Sequence, residues 1–495
     1  MTPAIGLLAA WLTPAVWLGL SALILDLGSD GLWIGLAVVC APLIALTIGG
    51  QAREGSSAVA EREPLFTVVI LLVTVGTLLC ANIVLAGDVA AWLGAPRWQG
   101  ITVAAAAGWI LTAWRGARRV LGFLLLLALL AVSTPLLEAV RATGTGPLRA
   151  WERVASEDAF RFPPSSPWVT RGRDLRMARG RAPIVFHEEH RITAPGGGIL
   201  RARTVDGRRV ADLEWELTPG QSVTLRPGDE IERSSALRLR FEAGKRVPGA
   251  PRSGVAWAEA HPRTWPHRAA LFLTLLVGAV ALLSSGVGAR PVRREMALIG
   301  GGLVVGFFWA QGWAVYSALG APDVFLGGVT AERLIELPGL VIADSSWRRL
   351  LQFALLVAGL AGFLLSSVAL RERVGALDRT GGGEIGYDLG LWAGVFGVAA
   401  VASLWPVDPW WLTILALGGA GSALAPAALW PPRAERESAG TAAGLVGLAL
   451  FAALALAGGL GGGSGLGATV LSYPAVVAAP AGACVLWVAR RGARR

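Results

Sequence analysis

The chain holds four histidines, His187, His190, His261 and His267, all in its polar middle. Two of them stand in Phe186-His187-Glu188-Glu189-His190. On a helix that spacing would set two metal ligands on one face. On a strand the two rings point to opposite faces and cannot share an ion, and the surrounding residues favour a strand with a solvated edge. His187 and His190 are therefore weak metal candidates. A second group, Asp323, Glu332, Glu336 and Asp344, falls in GAPDVFLGGVTAERLIELPGLVIADSSW. Carboxylates at a membrane surface can serve as base or metal ligand toward a lipid-linked sugar, so these four are the weak catalytic candidates. Pairing with arginines is the simpler role, and Leu334, Ile335, Leu337 and Leu340 suggest a short interfacial helix there. The third group is Gln311 within FFWAQGWAVY, with Trp309, Trp313 and Tyr316, together with Asn82. These could line a cavity between helices, or supply one inter-helix hydrogen bond in a packing interface.

The elements that must position these groups are apolar. Of 495 residues, 54% are hydrophobic and 16% charged, with a mean hydropathy of +0.57, outside the range of ordinary soluble domains. Runs near the ~20 residues that cross a bilayer as a helix recur at 4–26, 32–50, 65–86, 99–114, 120–140, 269–289, 296–318, 350–370, 387–404, 409–429, 440–459 and 468–489. The expected fold class is an all-α polytopic membrane bundle of about twelve spans, with one inserted extracytoplasmic antiparallel β-domain. Five spans occupy 1–140, the insert 141–268, and seven spans 269–495. With the amino terminus inside, the short loops assigned to the cytoplasm carry 17 arginines and the opposite loops 4. The positive-inside bias then puts both termini in the cytoplasm and the insert outside a bacterial inner membrane. Tryptophans gather at expected span ends, among them Trp98, Trp265, Trp411 and Trp487, as an aromatic belt does.

The insert carries 23 basic and 15 acidic residues. A basic domain beside a bilayer meets anionic headgroups or an acidic partner, which points to membrane lipids and protein partners rather than nucleic acid. Residues 141–182, rich in Pro, Gly and Arg, read as an extended lead-in. From 183 to 260 the pattern changes to APIVFHEEHRI, GGILRARTV, VADLEWEL, QSVTLR, ALRLRFEA and GVAWAEA, broken by Pro-Gly and Asp-Gly turns. This predicts a compact antiparallel sandwich or barrel of about six strands. VDGRRV, LTPGQSVTLRPGDEI and LRLRFE, over roughly 40 residues, resemble the closing strands of a forkhead-associated domain. Such domains bind phosphothreonine through an arginine, a serine and a histidine in earlier loops. No equivalent "GR" followed by a spaced "SxxH" stands upstream of VDGRRV, so the resemblance implies β-structure alone.

No histidine stands in an expected span and no CxxCH occurs, so neither haem nor another cofactor is expected. Cys40, Cys80 and Cys484 all fall in spans, leaving the insert without a disulfide. The spans hold almost no ionisable residue, which weighs against an ion-coupled pump. Glycine-rich runs such as GGGLVVG and LGGAGSALA favour close helix contact, and no phosphate-loop motif exists. The reading that follows is a non-enzymatic membrane subunit of a cell-envelope complex, docking partners through its external β-domain. The alternatives are a permease or flippase for a lipid-like substrate, and a glycosyltransferase or polymerase using a lipid-linked donor.

Overall fold

A computed structural model describes residues 14–41, 43–45, 76–88, 90, 95–113, 133, 136–141, 143–162, 169–170, 184–206, 209–231, 239–259, 265–284, 293–320, 322–325, 394, 396–397, 399–401, 409–429, 437–460 and 473–492. Helix α1 (Pro14–Leu27), apolar but for Ser21 and Asp26, ends at Gly28. Gly28 takes φ +57° and returns its N–H to Ile24 O at 2.9 Å, the left-handed cap that only glycine adopts without cost. A helical stretch resumes at 29–41. Helix α2 (Arg97–Ala113) lies beside the stretch Gly76–Asp88. A Cβ on Gly100 would stand 2.5 Å from Ala90 Cβ and 2.6 Å from Ala86 O, so the two backbones touch where side chains are smallest.

Past the middle of the chain, the long helices among the described residues are α5 (Trp265–Ser284), α6 (Arg293–Gly320), α7 (Pro409–Leu429), α8 (Glu437–Leu460) and α9 (Ala475–Gly492). Glycine sets its closest approaches. A Cβ on Gly278 of α5 would fall 2.0 Å from Leu417 O of α7, and one on Gly447 of α8 would fall 2.1 Å from Ser422 O. Small faces of this kind allow helices to pack tightly without large side chains between them.

A bundle of twelve crossing helices, expected from the apolar runs, is not shown. Among the described residues one helix, over Gly300–Gly320, is long and apolar enough to cross a membrane. Other apolar helices, such as Leu18–Leu27, Gly76–Asp88 and Trp411–Leu424, have 10–17 residues, short of the ~20 that a crossing requires. The expected span 350–370 lies outside the described residues, and 120–140 and 387–404 lie mostly outside them. The physical reason for the overcount is that hydropathy reports a preference for leaving water. It does not report what fills the other side, and helices packed on protein satisfy that preference at less than bilayer thickness.

Between α2 and α5 the described residues form α3 (Pro147–Ala155), eight strands and α4 (Gly254–Ala258). The strands are β1 (Val169–Thr170), β2 (Ile184–Val185), β3 (His190–Ala194), β4 (Gly198–Asp206), β5 (Arg209–Leu217), β6 (Gln221–Leu225), β7 (Glu230–Ile231) and β8 (Leu239–Arg240). They make two four-stranded antiparallel sheets, ordered β1-β8-β3-β6 and β2-β7-β4-β5. Alternation selects what each buries: in β3, His190, Ile192 and Ala194 are buried while Arg191 is exposed. Leu200, Ala202, Leu217, Leu225, Ile231 and Leu239 join them in one buried cluster.

Both Pro-Gly turns in LTPGQSVTLRPGDE have glycine in the left-handed region, Gly220 at φ +80° and Gly228 at +93°. Gln221 Oε1 accepts from Thr218 N at 2.9 Å, and Asp229 Oδ2 accepts from Arg226 N at 2.8 Å. Each turn is thus closed by a local side chain, as Asx-type residues do.

Two expectations for this region are corrected. The stretch GVAWAEA, expected as a strand, is the short helix α4, because Ser253 Oγ accepts the Ala256 N–H at 3.1 Å and caps it. Within the extended lead-in, residues 147–155 are instead α3, which begins with Pro147 in its first turn and buries Ala150 and Val154 on one face.

Candidate functional site at the seam of helices and sheets

The chain's long-range polar contacts concentrate where the sheet unit meets the helical body. Trp257 of α4 donates its indole N–H to Leu25 O at 2.7 Å. That carbonyl is one of the last in α1, a group left without a partner inside its own helix. Gly28 lies directly beneath the same residue: a Cβ there would stand 1.8 Å from Trp257 O. The Trp257 ring meets Trp151 of α3 at 4.5 Å between centroids. Gly254 lies against α3 so closely that a Cβ would be 1.8 Å from Val154 O. Tyr316 of α6 donates its hydroxyl to Thr145 O at 2.7 Å. Phe160, just past α3, meets Phe325 at 4.9 Å between centroids, in the single turn Pro322–Phe325 that follows α6.

Beside these contacts lies a charged group. Arg268 in the first turn of α5 pairs with Asp30, and Tyr473 OH shares a 3.0 Å hydrogen bond with His267 Nε2. Trp33 and Trp265, three residues from Asp30 and Arg268, are 68% and 67% exposed. Arg97 Nε bonds Asp88 Oδ1 at 2.8 Å, with exposed Trp98 next to it. Trp257 and Tyr316, by their hydrogen bonds, fasten residues of the insert to the helical body.

The residues singled out from sequence are dispersed. Gln311, Trp313 and Tyr316 are buried on α6, with Trp309 partly buried. Asn82 is buried in the stretch 76–88, where its Nδ2 donates to Leu78 O of its own helix at 2.9 Å. Of the four acidic candidates, Asp323 falls in the turn Pro322–Phe325, while Glu332, Glu336 and Asp344 lie outside the described residues. His187 is exposed and His190 is 1% exposed, which corrects the expectation that both lie on a solvated edge. Among the described residues no three His, Cys, Asp or Glu side chains gather as metal ligands.

His190 opens β3 opposite Leu225 and lies among Phe186, Phe162 and Phe241, with ring centroids 5.1, 6.4 and 6.4 Å away. Its Nδ1 is buried without a hydrogen-bond partner, and its Nε2 is 3.9 Å from Glu188 Oε1. That carboxylate oxygen accepts the main-chain N–H of Arg246. Burial holds the imidazole below its ordinary range, against the opposing pull of Glu188.

Sequence reasoning did not find Trp257, Trp151, Gly28 or the Asp30–Arg268 pair. The partners of Trp257 and Leu25 are 232 positions apart, and no local pattern encodes that pairing. No protein-family model matches the chain, and no curated protein matches it.

Proposed function

We propose that the chain is a non-enzymatic membrane subunit of a bacterial cell-envelope assembly, which holds its sheet unit outside the cytoplasmic membrane for a protein partner. The observation that supports this is the surface of the helical body. Its exposed positions include many large apolar side chains: Trp98, Val103, Trp109 and Ile110 on α2, Val304, Val305 and Phe308 on α6, Leu445, Val446 and Leu456 on α8, Val488 on α9. Its interior holds large apolar side chains such as Leu25, Ile83, Leu275 and Trp313 together with alanine and the polar Ser21, Asn82, Thr274, Gln311, Ser317, Thr413 and Ser422. Water disfavours extended apolar surface of this kind, whereas hydrocarbon accepts bulky apolar groups outside and draws small and polar groups to helix contacts. The sheet unit has the ordinary arrangement for water and is fastened to the end of that body.

The test places single spin labels, in a chain lacking its three cysteines and set in lipid nanodiscs, at Val103, Ile110 and Leu456 and at Arg201 and Arg226. Higher collision with oxygen than with a water-soluble nickel chelate at the first three, and the reverse at the last two, is the expected result. Equal access to the chelate at all five removes the membrane reading. A protein cross-linked at fixed stoichiometry to a photoreactive residue at 201 in native membranes supports the subunit reading; cross-links to lipid alone refute it.

A second reading, a permease or flippase for a lipid-like substrate, draws on one observation: Asn82 Oδ1 is buried without a hydrogen-bond partner. On this reading Asn82→Leu leaves folding intact and stops transport.

A further inference from the structure

The cage around His190 is joined by hydrogen bonds to the strap that ties the sheet unit to the helices. Residues 160–162 form a bridge with 244–247: Phe162 N donates to Lys245 O at 2.9 Å, Gly244 N to Phe162 O at 2.8 Å, and Val247 N to Phe160 O at 2.8 Å. Arg161 Nη1 adds a bond to Gly244 O at 3.1 Å. One end of this strap carries Phe160, whose ring meets Phe325 of the helical body. The other is held at the Arg246 N–H by Glu188, whose carboxylate also stands 3.9 Å from His190 Nε2. One carboxylate therefore faces two donors, one a permanent N–H and the other a ring nitrogen that becomes a cation on protonation.

We infer that His190 is an acid-sensitive trigger: protonation of its ring draws Glu188 away from Arg246 and loosens the strap 160–162/244–247, and with it the Phe160 contact to the helical body. The groups that bear on the ring are few. Glu188 and Glu242 and the Arg246 main chain favour the cation, Lys245 opposes it, and burial among Phe162, Phe186 and Phe241 opposes it most. Across the sheet, Leu225 is apolar. A buried imidazolium needs a partner or contact with water. Glu188, one-third exposed and 3.9 Å from Nε2, is the carboxylate within reach of the cation, while Nδ1 has no hydrogen-bond partner among the described residues.

The sign follows from linkage. His190 is held below its ordinary value near 6.5 in the folded chain, so the unfolded or opened state binds the proton more readily. Its contribution to stability is present above pH ~6.5 and declines as pH falls from there toward the folded-state value.

The experiment is hydrogen exchange of the whole chain in nanodiscs at pH 7.5 and 5.0, corrected for intrinsic rates, read on peptides covering 158–163 and 243–248. In the wild type, protection of these peptides is expected to fall roughly tenfold or more at pH 5.0, one pKa unit of linkage being a factor of ten. Peptides of the β4–β5 hairpin serve as the internal reference and keep their protection. His190→Gln, and separately Glu188→Gln, which keeps an acceptor for Arg246 N but loses the charge, are expected to remain protected at pH 5.0. Unchanged protection in the wild type overturns the inference, as does the full acid response in Glu188→Gln. Glu188 is partly exposed, so its variant decides the matter even where His190→Gln does not fold.

Discussion

The helical body and the sheet unit both bury large apolar side chains but expose different things. Among the described residues, twenty of the twenty-three exposed large apolar ones lie on or beside the helical body, and Leu148, Ile199 and Val255 lie in 141–259. Of the nine buried polar residues described, seven are on the helical body and two, His190 and Asp229, lie in the sheet unit. In the sheet unit Phe162, Phe186, Ile192, Leu200 and Phe241 are inside while Arg191, Arg201, Glu214, Glu216 and Arg226 are outside. One chain thus presents two kinds of surface, and the change comes at the seam around Trp257. The proposed setting, helices in lipid and sheets in water, would account for both.

The sharpest way to break the contrast is inside the helices. Gly278→Leu drives a side chain into the main chain of α7, where a Cβ alone would be 2.0 Å from Leu417 O. The cost exceeds the roughly 1–3 kcal/mol typical of overpacking, and the expected outcome is loss of folded protein, scored by gel filtration and recovery in detergent. Gly220→Leu in the sheet unit meets nothing within 4 Å and suffers only its φ of +80°, a penalty of about 1–2 kcal/mol. A folded but less stable protein by thermal melting is expected. Equal damage from the two substitutions would mean that tight helix approach does not distinguish the regions.

The seam itself is tested by Trp257→Phe, which keeps the ring against Trp151 and removes the N–H that Leu25 O accepts. A loss of about 1–3 kcal/mol is expected from one buried acceptor left unpaired. Faster proteolysis between sheet unit and helices should accompany it. Retention of wild-type melting and cleavage would show the indole bond to be incidental.

On α2 the contrast can be sharpened residue by residue. Ala104→Leu enlarges a position 1% exposed, while Val103→Leu enlarges one 60% exposed. The first should cost about 1–3 kcal/mol and the second less than about 0.5 kcal/mol, measured by denaturation in mixed micelles. The smallest effect is expected at the sheet surface. Arg201 and Glu214, cross-strand partners 3.4 Å apart and 59% and 54% exposed, should show a coupling of only about 0.2–1 kcal/mol in a double-mutant cycle. That coupling should shrink further in high salt, since exposed charges are screened.

Much of the sheet unit was legible because its determinants are local. Alternation in HRITA and GILRARTV, and Pro-Gly at the turns, follow from backbone sterics within a few residues. GVAWAEA misled because its alternation competes with Ser253, whose hydroxyl caps a helix start that the strand pattern concealed. The helical stretches were legible as apolar, yet their number as bilayer crossings was not. Hydropathy registers departure from water and leaves open whether lipid or protein receives the side chain.

By itself, then, the sequence determined the division into an apolar helical part and a polar insert, and the antiparallel character of that insert, since periodicity and turn chemistry act over short distances. Only the tertiary structure decided the pairings across the seam: Trp257 on Leu25, Asp30 on Arg268, Phe160 on Phe325. It alone enclosed His190 among three phenylalanines with Glu188 at its side. Contacts between residues tens to hundreds of positions apart depend on how whole elements pack, and no local propensity encodes them.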